Sequence, residues 1–511
     1  MAEAYKKNVL LLIAFASILR CIVAAGIELG NDEVYYWTYS QQLQWNYFDH
    51  PPMVGVWIRA STFNLLLEEY ELFVRLGSIA SAALSTWLLY SMLNRLHSGK
   101  AGWYAACLYT ASIYASIIAG VFILPDSPQI LFWCFCLYFL LQISQRPGSW
   151  RSWILFGASA GLCVMSKVHG AFIPLGLILF MILRQRAWFR LPQFYAAGLI
   201  FIIIVSPILL WNWNNDFITY RFHSERVTVS EFTLNISGFF REVFGQFLYN
   251  NPFNVILLAA ALLAWKKSKL ESNGILVLYA CIALPMIAIL LLVSLFRNTL
   301  PHWSGPAYVT LLPLTSVYLT TLRKPGVFPG LLKWAGSIIL FTVVSGLLTV
   351  NFYPGTLGKK ATERLGSGDF TLDLYGWESA GKAFATFYRE EKAKGLIPGG
   401  TPVVAYMWFP AAHLDYYFCR PVGIELIGMG STSDLHHYQW MNEWRASKAN
   451  FAKAYCIVPS NVEDDAKTRY AAYYKKLDLV NTIEQRRGGS LCRYFRVYRL
   501  EGWKDTSIKL P

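Results

Sequence analysis

Eleven long apolar runs decide what this chain can fold into. They lie at roughly residues 8–27, 72–93, 101–121, 127–144, 153–166, 170–183, 194–211, 253–265, 274–294, 305–322 and 331–350. A helix needs about 20 apolar residues to cross a bilayer, because lipid offers the backbone no hydrogen-bond partner and every amide must be satisfied within the helix. The fifth, sixth and eighth runs are short and imply tilt or local thinning. With 511 residues, 55% hydrophobic and 15% charged, the chain carries more apolar surface than one soluble core can hide. The expected fold is mainly α, a polytopic membrane bundle of about eleven transmembrane helices. Lys6 and Lys7 precede the first run as in a signal peptide, but ten more runs follow and no small-residue cleavage site stands out, so it reads as an uncleaved helix.

Charge then sets the expected topology. If the runs alternate, one set of loops holds Arg95, Lys100, Arg146, Arg151, Arg184, Arg186, Arg190, Lys266, Lys267, Lys269, Arg323 and Lys324, and by the positive-inside rule that side is cytoplasmic. The net charge of +14 is therefore spread over loops rather than gathered into a nucleic-acid-binding patch, and any excess suits anionic lipid or a phosphorylated substrate. The opposite, periplasmic or luminal, loops carry the unusual polar groups: Asp32 to His50, Asp126, Lys167 to His169, the Asp216–Glu231 segment, and Arg297 to His302. The first outer loop, residues 28–71, mixes Trp, Tyr and Phe with Gln and Asn, as interfacial helices do. Composition changes at Asn351–Pro354, so residues 1–350 read as the membrane domain and 351–511 as a soluble α/β domain on the outer side. In the latter, Trp377–Lys394 has helical spacing, and Pro402–Trp408, Lys453–Val458 and Leu491–Leu500 read as strands.

Six of the nine cysteines fall inside apolar runs as small hydrophobes. Cys419, Cys456 and Cys492 have no metal-ligand spacing, and nothing in the sequence supports a disulfide among them. Asp49, His50 and Glu33 offer oxygen and imidazole donors for a divalent cation, again without a recognisable spacing. No phosphate-cradling glycine loop and no internal repeat is visible.

Carboxylates beside a membrane are costly unless solvated, paired or functional. Asp32 and Glu33 read equally as the solvated start of a loop and as chemistry until their company is counted. Asp126, Lys167, His169 and His302 stand at the outer ends of separate helices, and Arg75 and Arg297 flank others, either snorkelling or holding phosphate. Arg20, inside the first run, anchors a helix pair or snorkels. A carboxylate near a hydroxyl acts as general base, while Lys, Arg and His neutralise a phosphate leaving group.

Asp32-Glu33 followed by Tyr-Tyr-Trp, then Tyr-Phe-Asp-His-Pro-Pro, Pro-Asp-Ser-Pro, Ser-Lys-Val-His-Gly, Trp-Asn-Trp-Asn-Asn-Asp and Pro-His-Trp-Ser-Gly-Pro-Ala-Tyr together resemble the bacterial branch of the protein O-mannosyltransferase superfamily, over roughly residues 8–322. That group has the GT-C fold and includes the aminoarabinose transferase that modifies lipid A. The resemblance implies an inverting membrane glycosyltransferase that uses a polyprenyl-phosphate-sugar donor on the outer face of the bacterial inner membrane. The acceptor stays open among lipid A, another glycolipid or glycan, and a protein Ser or Thr. It implies a catalytic role for Asp32, with Glu33 its neighbour and Asp126 a second acid of the site, and phosphate contacts from Lys167 and His50; Arg75 and Arg297 are candidate phosphate contacts from their positions at helix ends alone. Tyr35, Asp49, His169 and His302 are then candidate substrate contacts. His50 stands where the aminoarabinose transferase has a lysine. The rival reading is a polytopic lipid or sugar transporter, whose sites usually lie at the bilayer midplane between repeats.

Overall fold

The structure is a computed structural model describing residues 2–227, 233–268, 270, 273–322, 329–462 and 465–504. Of the residues that bear on topology, Lys269, Arg323, Lys324 and Glu231 lie outside the described residues. Two compact units emerge, one of residues 1–24 and 39–343, the other of residues 25–38 and 344–511.

Each apolar run falls on a helix. In chain order these are α1 (Ala2–Gly26), α4 (Glu71–Leu96), α5 (Gly99–Ala111), α6 (Asp126–Gln145), α7 (Trp150–Ser166), α8 (Phe172–Arg184), α9 (Pro192–Asn214), α12 (Pro252–Leu263), α13 (Gly274–Ser294), α14 (Gly305–Thr321) and α15 (Gly330–Phe352). The first outer loop supplies α2 (Asn31–Gln41) and α3 (Met53–Ser61), and two more helices, α10 (Ile218–Val227) and α11 (Ile236–Tyr249), lie between α9 and α12. Among the described residues six helices are long and apolar enough to cross a membrane, namely α1 from Glu3 onward, α4, α6, α9, α13 and α15. A seventh is added if α11 and α12, bent by 97°, form one broken span. The remaining runs sit on helices of 12–17 residues. Their length, not their composition, separates this count from the expected eleven.

Burial distinguishes inner from outer helices. In α6, 67% of the apolar window is buried, whereas α9 and α15 bury 11% each and present large apolar side chains outward. The bundle core gathers Trp133, Trp153, Tyr109, Tyr114, Leu137 and Ile282 from α5, α6, α7, α13 and the turn after α5. Gly157 and Gly161 let α7 lie on α9, since a Cβ at Gly157 would stand 2.4 Å from the Ala197 carbonyl oxygen.

The second unit is built on a five-stranded sheet of order β2-β1-β3-β5-β4, from β1 (Val403–Ala405), β2 (Leu426–Gly428), β3 (Lys453–Pro459), β4 (Tyr474–Arg487) and β5 (Ser490–Trp503). The first three strands pair in parallel and β3, β5 and β4 antiparallel. Helix α16 (Trp377–Ala393) buries Trp377, Phe384 and Tyr388. Cys419, Cys456 and Cys492 are all buried and free.

This unit also takes in the residues leading into α2. Gly376, at φ +82°, precedes α16 and has no side chain to cap it. The Glu28 carboxylate does so instead, accepting the Trp377 N–H at 2.6 Å and the Glu378 N–H at 3.1 Å. The Tyr417 hydroxyl accepts the Leu29 N–H at 2.8 Å, and the buried His413 donates from Nε2 to the Leu29 carbonyl at 3.0 Å and to that of Asp373 at 3.1 Å. The Asn31 amide donates to the Asp373 carboxylate at 3.0 Å. Every residue but Gly30 from Glu28 to Asn31 is thus tied by its backbone or side chain to groups more than 340 positions away.

Candidate active site

The first unit holds a buried ion pair. Asp126 is the first residue of α6, where the helix dipole favours a carboxylate. Its Oδ2 accepts the Lys167 ammonium at 2.7 Å and its Oδ1 accepts the Tyr114 hydroxyl at 3.1 Å. The side chains of Lys167 and Asp126 are 5% and 3% exposed.

Local sequence explains the placement. Lys167 closes α7 in an extended conformation, and Val168–Ala171 then turns back as a short 3₁₀ helix. Gly170 allows this reversal, because a Cβ there would stand 2.7 Å from the backbone of Cys163 and Val164. Tyr114 opens a single π-helical turn, Tyr114–Ile118, of the kind found at functional sites. That turn is held by the buried Arg20, which donates to the Ser116 carbonyl at 3.2 Å and hydroxyl at 3.0 Å. Arg20 is therefore a helix anchor. Gly305 leaves room for the tyrosine, since a Cβ at that position would lie 2.4 Å from its ring.

Two histidines are coupled to the pair. Lys167, His302 and His169 are coupled electrostatically to Asp126, and His223 to His169, whose pKa burial and the Lys167 cation push down to about 3. His302 sits in the turn Pro301–Ser304 ahead of α14, its ring 6.2 Å from Tyr249, and Trp303 lies 5.6 Å from the His169 ring. Burial first, then the Lys167 cation, pushes His302 down to about 4, so it is neutral at pH 7. With a folded pKa below the ordinary 6.5, His302 contributes stability above pH 6.5 that is lost as pH falls toward 4. Wild type is expected to lose melting temperature over that interval more steeply than His302→Gln, by up to about 3 kcal/mol of difference at pH 4; parallel pH curves would show that the ring titrates freely.

The structure scatters the other expected site residues between the two units. His50 is half-buried with its ring 5.7 Å from that of His223, and His223 Nε2 donates to the Asp49 carbonyl at 2.6 Å. The Asp49 carboxylate is buried and accepts the Tyr39 hydroxyl. Arg75 is wholly buried, donates to the Ala24 carbonyl at 2.9 Å and lies over the Phe122 ring. Arg297 is half-buried just after α13. In the second unit, Asp32 is exposed on the first turn of α2, while Glu33 is buried with Oε2 accepting the Gly30 N–H at 2.9 Å, a capping contact. Tyr35 is also buried, 5.2 Å from the Trp408 ring and 5.9 Å from that of His436. Among the described residues no group of three or more His, Cys, Asp or Glu side chains is placed to hold a metal ion.

Three contributors escaped the sequence reading. Tyr114 lies inside an apolar run with nothing to mark its hydroxyl. His223 was one position in a long polar segment. Glu242 on α11 is buried, accepting Gln246 at 2.8 Å and the Thr299 hydroxyl at 2.6 Å close to the His302 turn. An acid on an amphipathic helix, beside Arg241, gave little signal for the last.

Residues 49–211 match the family described as dolichyl-phosphate-mannose-protein mannosyltransferase. The lipid A galacturonosyltransferase RgtD of Rhizobium johnstonii is 22% identical over 77% of this chain and 80% of its own length. An undecaprenyl phosphate-alpha-4-amino-4-deoxy-L-arabinose arabinosyl transferase of Pseudomonas fluorescens is 25% identical over 67% of this chain and 65% of its own. Among solved structures, ArnT from Cupriavidus metallidurans bound to undecaprenyl phosphate superposes with a TM-score of 0.63 over 96% of this chain and 98% of that one, at 14% identity. The apo form of ArnT gives 0.60.

Proposed function

We propose, for a chain whose fold is that of the GT-C glycosyltransferases, that it transfers a sugar from a polyprenyl-phosphate donor to an acceptor hydroxyl or phosphate oxygen with inversion at the anomeric carbon. The observation that carries this reading is the buried Asp126–Lys167 pair, with His169 and His302 coupled to it electrostatically, in a fold shared with a protein solved with undecaprenyl phosphate. Asp126 occupies one of the three ammonium donors of Lys167, and the remaining two are suited to phosphate oxygens. In the step itself the acceptor oxygen attacks the anomeric carbon, the bond from that carbon to the phosphate oxygen breaks, and polyprenyl phosphate leaves with its charge matched by Lys167. Asp32 takes the acceptor's proton, a role assigned by its match to the family motif and suited to its exposed carboxylate. Neutral His302 and His169 donate or accept hydrogen bonds beside the phosphate without adding charge.

The relatives named above act on lipid A or carry aminoarabinose, and a glycolipid of the cell envelope is the acceptor we favour. The helices α5, α7, α8, α11–α12 and α14 complete the expected set of spans in this reading, with Asp126, Lys167 and residues 351–511 on the periplasmic side. A transporter reading is disfavoured because the characterised relatives are transferases. Purified protein in proteoliposomes with labelled undecaprenyl-phosphate-sugar and lipid A is expected to yield labelled lipid A and free undecaprenyl phosphate. Label crossing the bilayer with no product would sink the proposal.

A further inference from the structure

We infer that the segment from Phe352 to Phe370, with the β4–β5 turn, is a membrane-binding edge of the second unit whose partner is the headgroup region of an anionic bilayer. The span α15 ends at Phe352, so the residues directly after it must lie at a lipid–water boundary. Phe352, Tyr353, Leu357 and Phe370 are 68%, 39%, 45% and 75% exposed. Single exposed apolar residues are ordinary, but aromatics gathered at a span's end match the composition of an interfacial belt.

One buried guanidinium draws these residues together. Arg487 donates to the carbonyls of Val350 at 3.3 Å and Gly355 at 3.0 Å, to the Thr371 hydroxyl at 2.7 Å and to the Asp369 carboxylate at 2.9 Å, and lies 5.6 Å from the Tyr353 ring. Asp369 in turn accepts the Thr356 hydroxyl at 2.9 Å and the Leu357 N–H at 2.8 Å. Both members of the Arg487–Asp369 pair are fully buried. A buried, fully bonded ion pair thus fixes a loop that turns its apolar side chains outward. Gly488 brings the β4–β5 turn against this edge, because a Cβ there would stand 2.8 Å from the Phe352 carbonyl oxygen.

Charge selects the lipid. Lys359, Lys360 and Arg486 are exposed along the same segment and turn, with Arg364 half-buried; the facing acids are Glu363 and Glu484, the latter paired with Arg486 at 3.1 Å. Cations therefore outnumber acids beside the apolar residues, the pattern that attracts anionic headgroups.

The test places an environment-sensitive fluorophore at Leu357→Cys or Phe370→Cys of the full chain in nanodiscs of phosphatidylcholine, alone or mixed with phosphatidylglycerol, with spin-labelled lipid as quencher. None of the nine native cysteines is exposed, and labelled wild type supplies the background. A control label at Lys476→Cys pairs across from Glu501, 11 residues along β5 from Ser490 and so about 36 Å away. Labels at 357 and 370 are expected to lose about half their fluorescence, more with phosphatidylglycerol, and the control almost none. Lys359→Ser with Lys360→Ser removes the phosphatidylglycerol increment. Equal, weak quenching at all three sites would overturn the inference, and an increment that survives the double substitution would overturn its electrostatic half.

Discussion

Lys167→Met is expected to abolish sugar transfer and to destabilise the protein at the same time. The ammonium is the cation bonded to a carboxylate that is 3% exposed, and removing one partner of a buried pair typically costs about 3–5 kcal/mol because the other charge is left stranded. Loss of activity in the single variant therefore says nothing about phosphate. The informative protein is Lys167→Met combined with Asp126→Asn. The asparagine can still accept the Tyr114 hydroxyl, and no uncompensated charge remains, so most of the lost melting temperature returns. Transfer stays down on the order of 10²–10³-fold if the ammonium offsets charge developing on the leaving phosphate. Its signature is a lower kcat at saturating donor, with a raised KM for the donor. Recovery of transfer together with stability would reduce Lys167 to a neutraliser of Asp126 and remove the phosphate from its assignment.

How much of this was legible in the sequence differs sharply between the two units. Apolar runs locate helices because lipid admits few alternatives, and all eleven runs fall on helical segments. The same runs do not fix the number of spans, since α5 and α8 are 13 residues long and only the surrounding packing decides how such helices are used. Asp126, Lys167 and His302 were visible as polar residues at run ends. Tyr114 was not, because a tyrosine in an apolar stretch looks the same whether its hydroxyl meets a carboxylate or a backbone carbonyl. In the second unit β4 was missed for a related reason. Tyr474–Arg487 is an edge strand rich in Lys, Asp, Glu and Arg, and its partly alternating exposure leaves little apolar signal. The largest gap is the assignment of residues 25–38 to the second unit. Composition places them in an outer loop, and the bonds that claim them span 349 positions from Glu28 to Trp377 and 388 from Leu29 to Tyr417. Long-range pairing of that kind leaves no periodicity to read.

That assignment shapes the second large effect. Asp32→Asn is expected to lower kcat on the order of 10³-fold, within the range for removal of a general base, while the donor KM and the melting temperature stay near wild type. The side chain is exposed on the first turn of α2, and asparagine is as well tolerated at a helix start as aspartate, so the start of the helix is kept in the variant. Glu28→Ala carries the test one step back along the chain. It removes the acceptor of two N–H groups at the start of α16, and with it one of the ties that fix the residues leading into Asp32. If those ties position the base, kcat falls with the donor KM unchanged, and Glu28→Asp restores part of it. If Asp32→Asn is inactive but Glu28→Ala keeps full kcat, α2 is placed by its remaining contacts to Asp373, Tyr417 and His413. Full activity in Asp32→Asn would instead move the proton to another acceptor, and the acid of the first outer loop would lose its place in the mechanism.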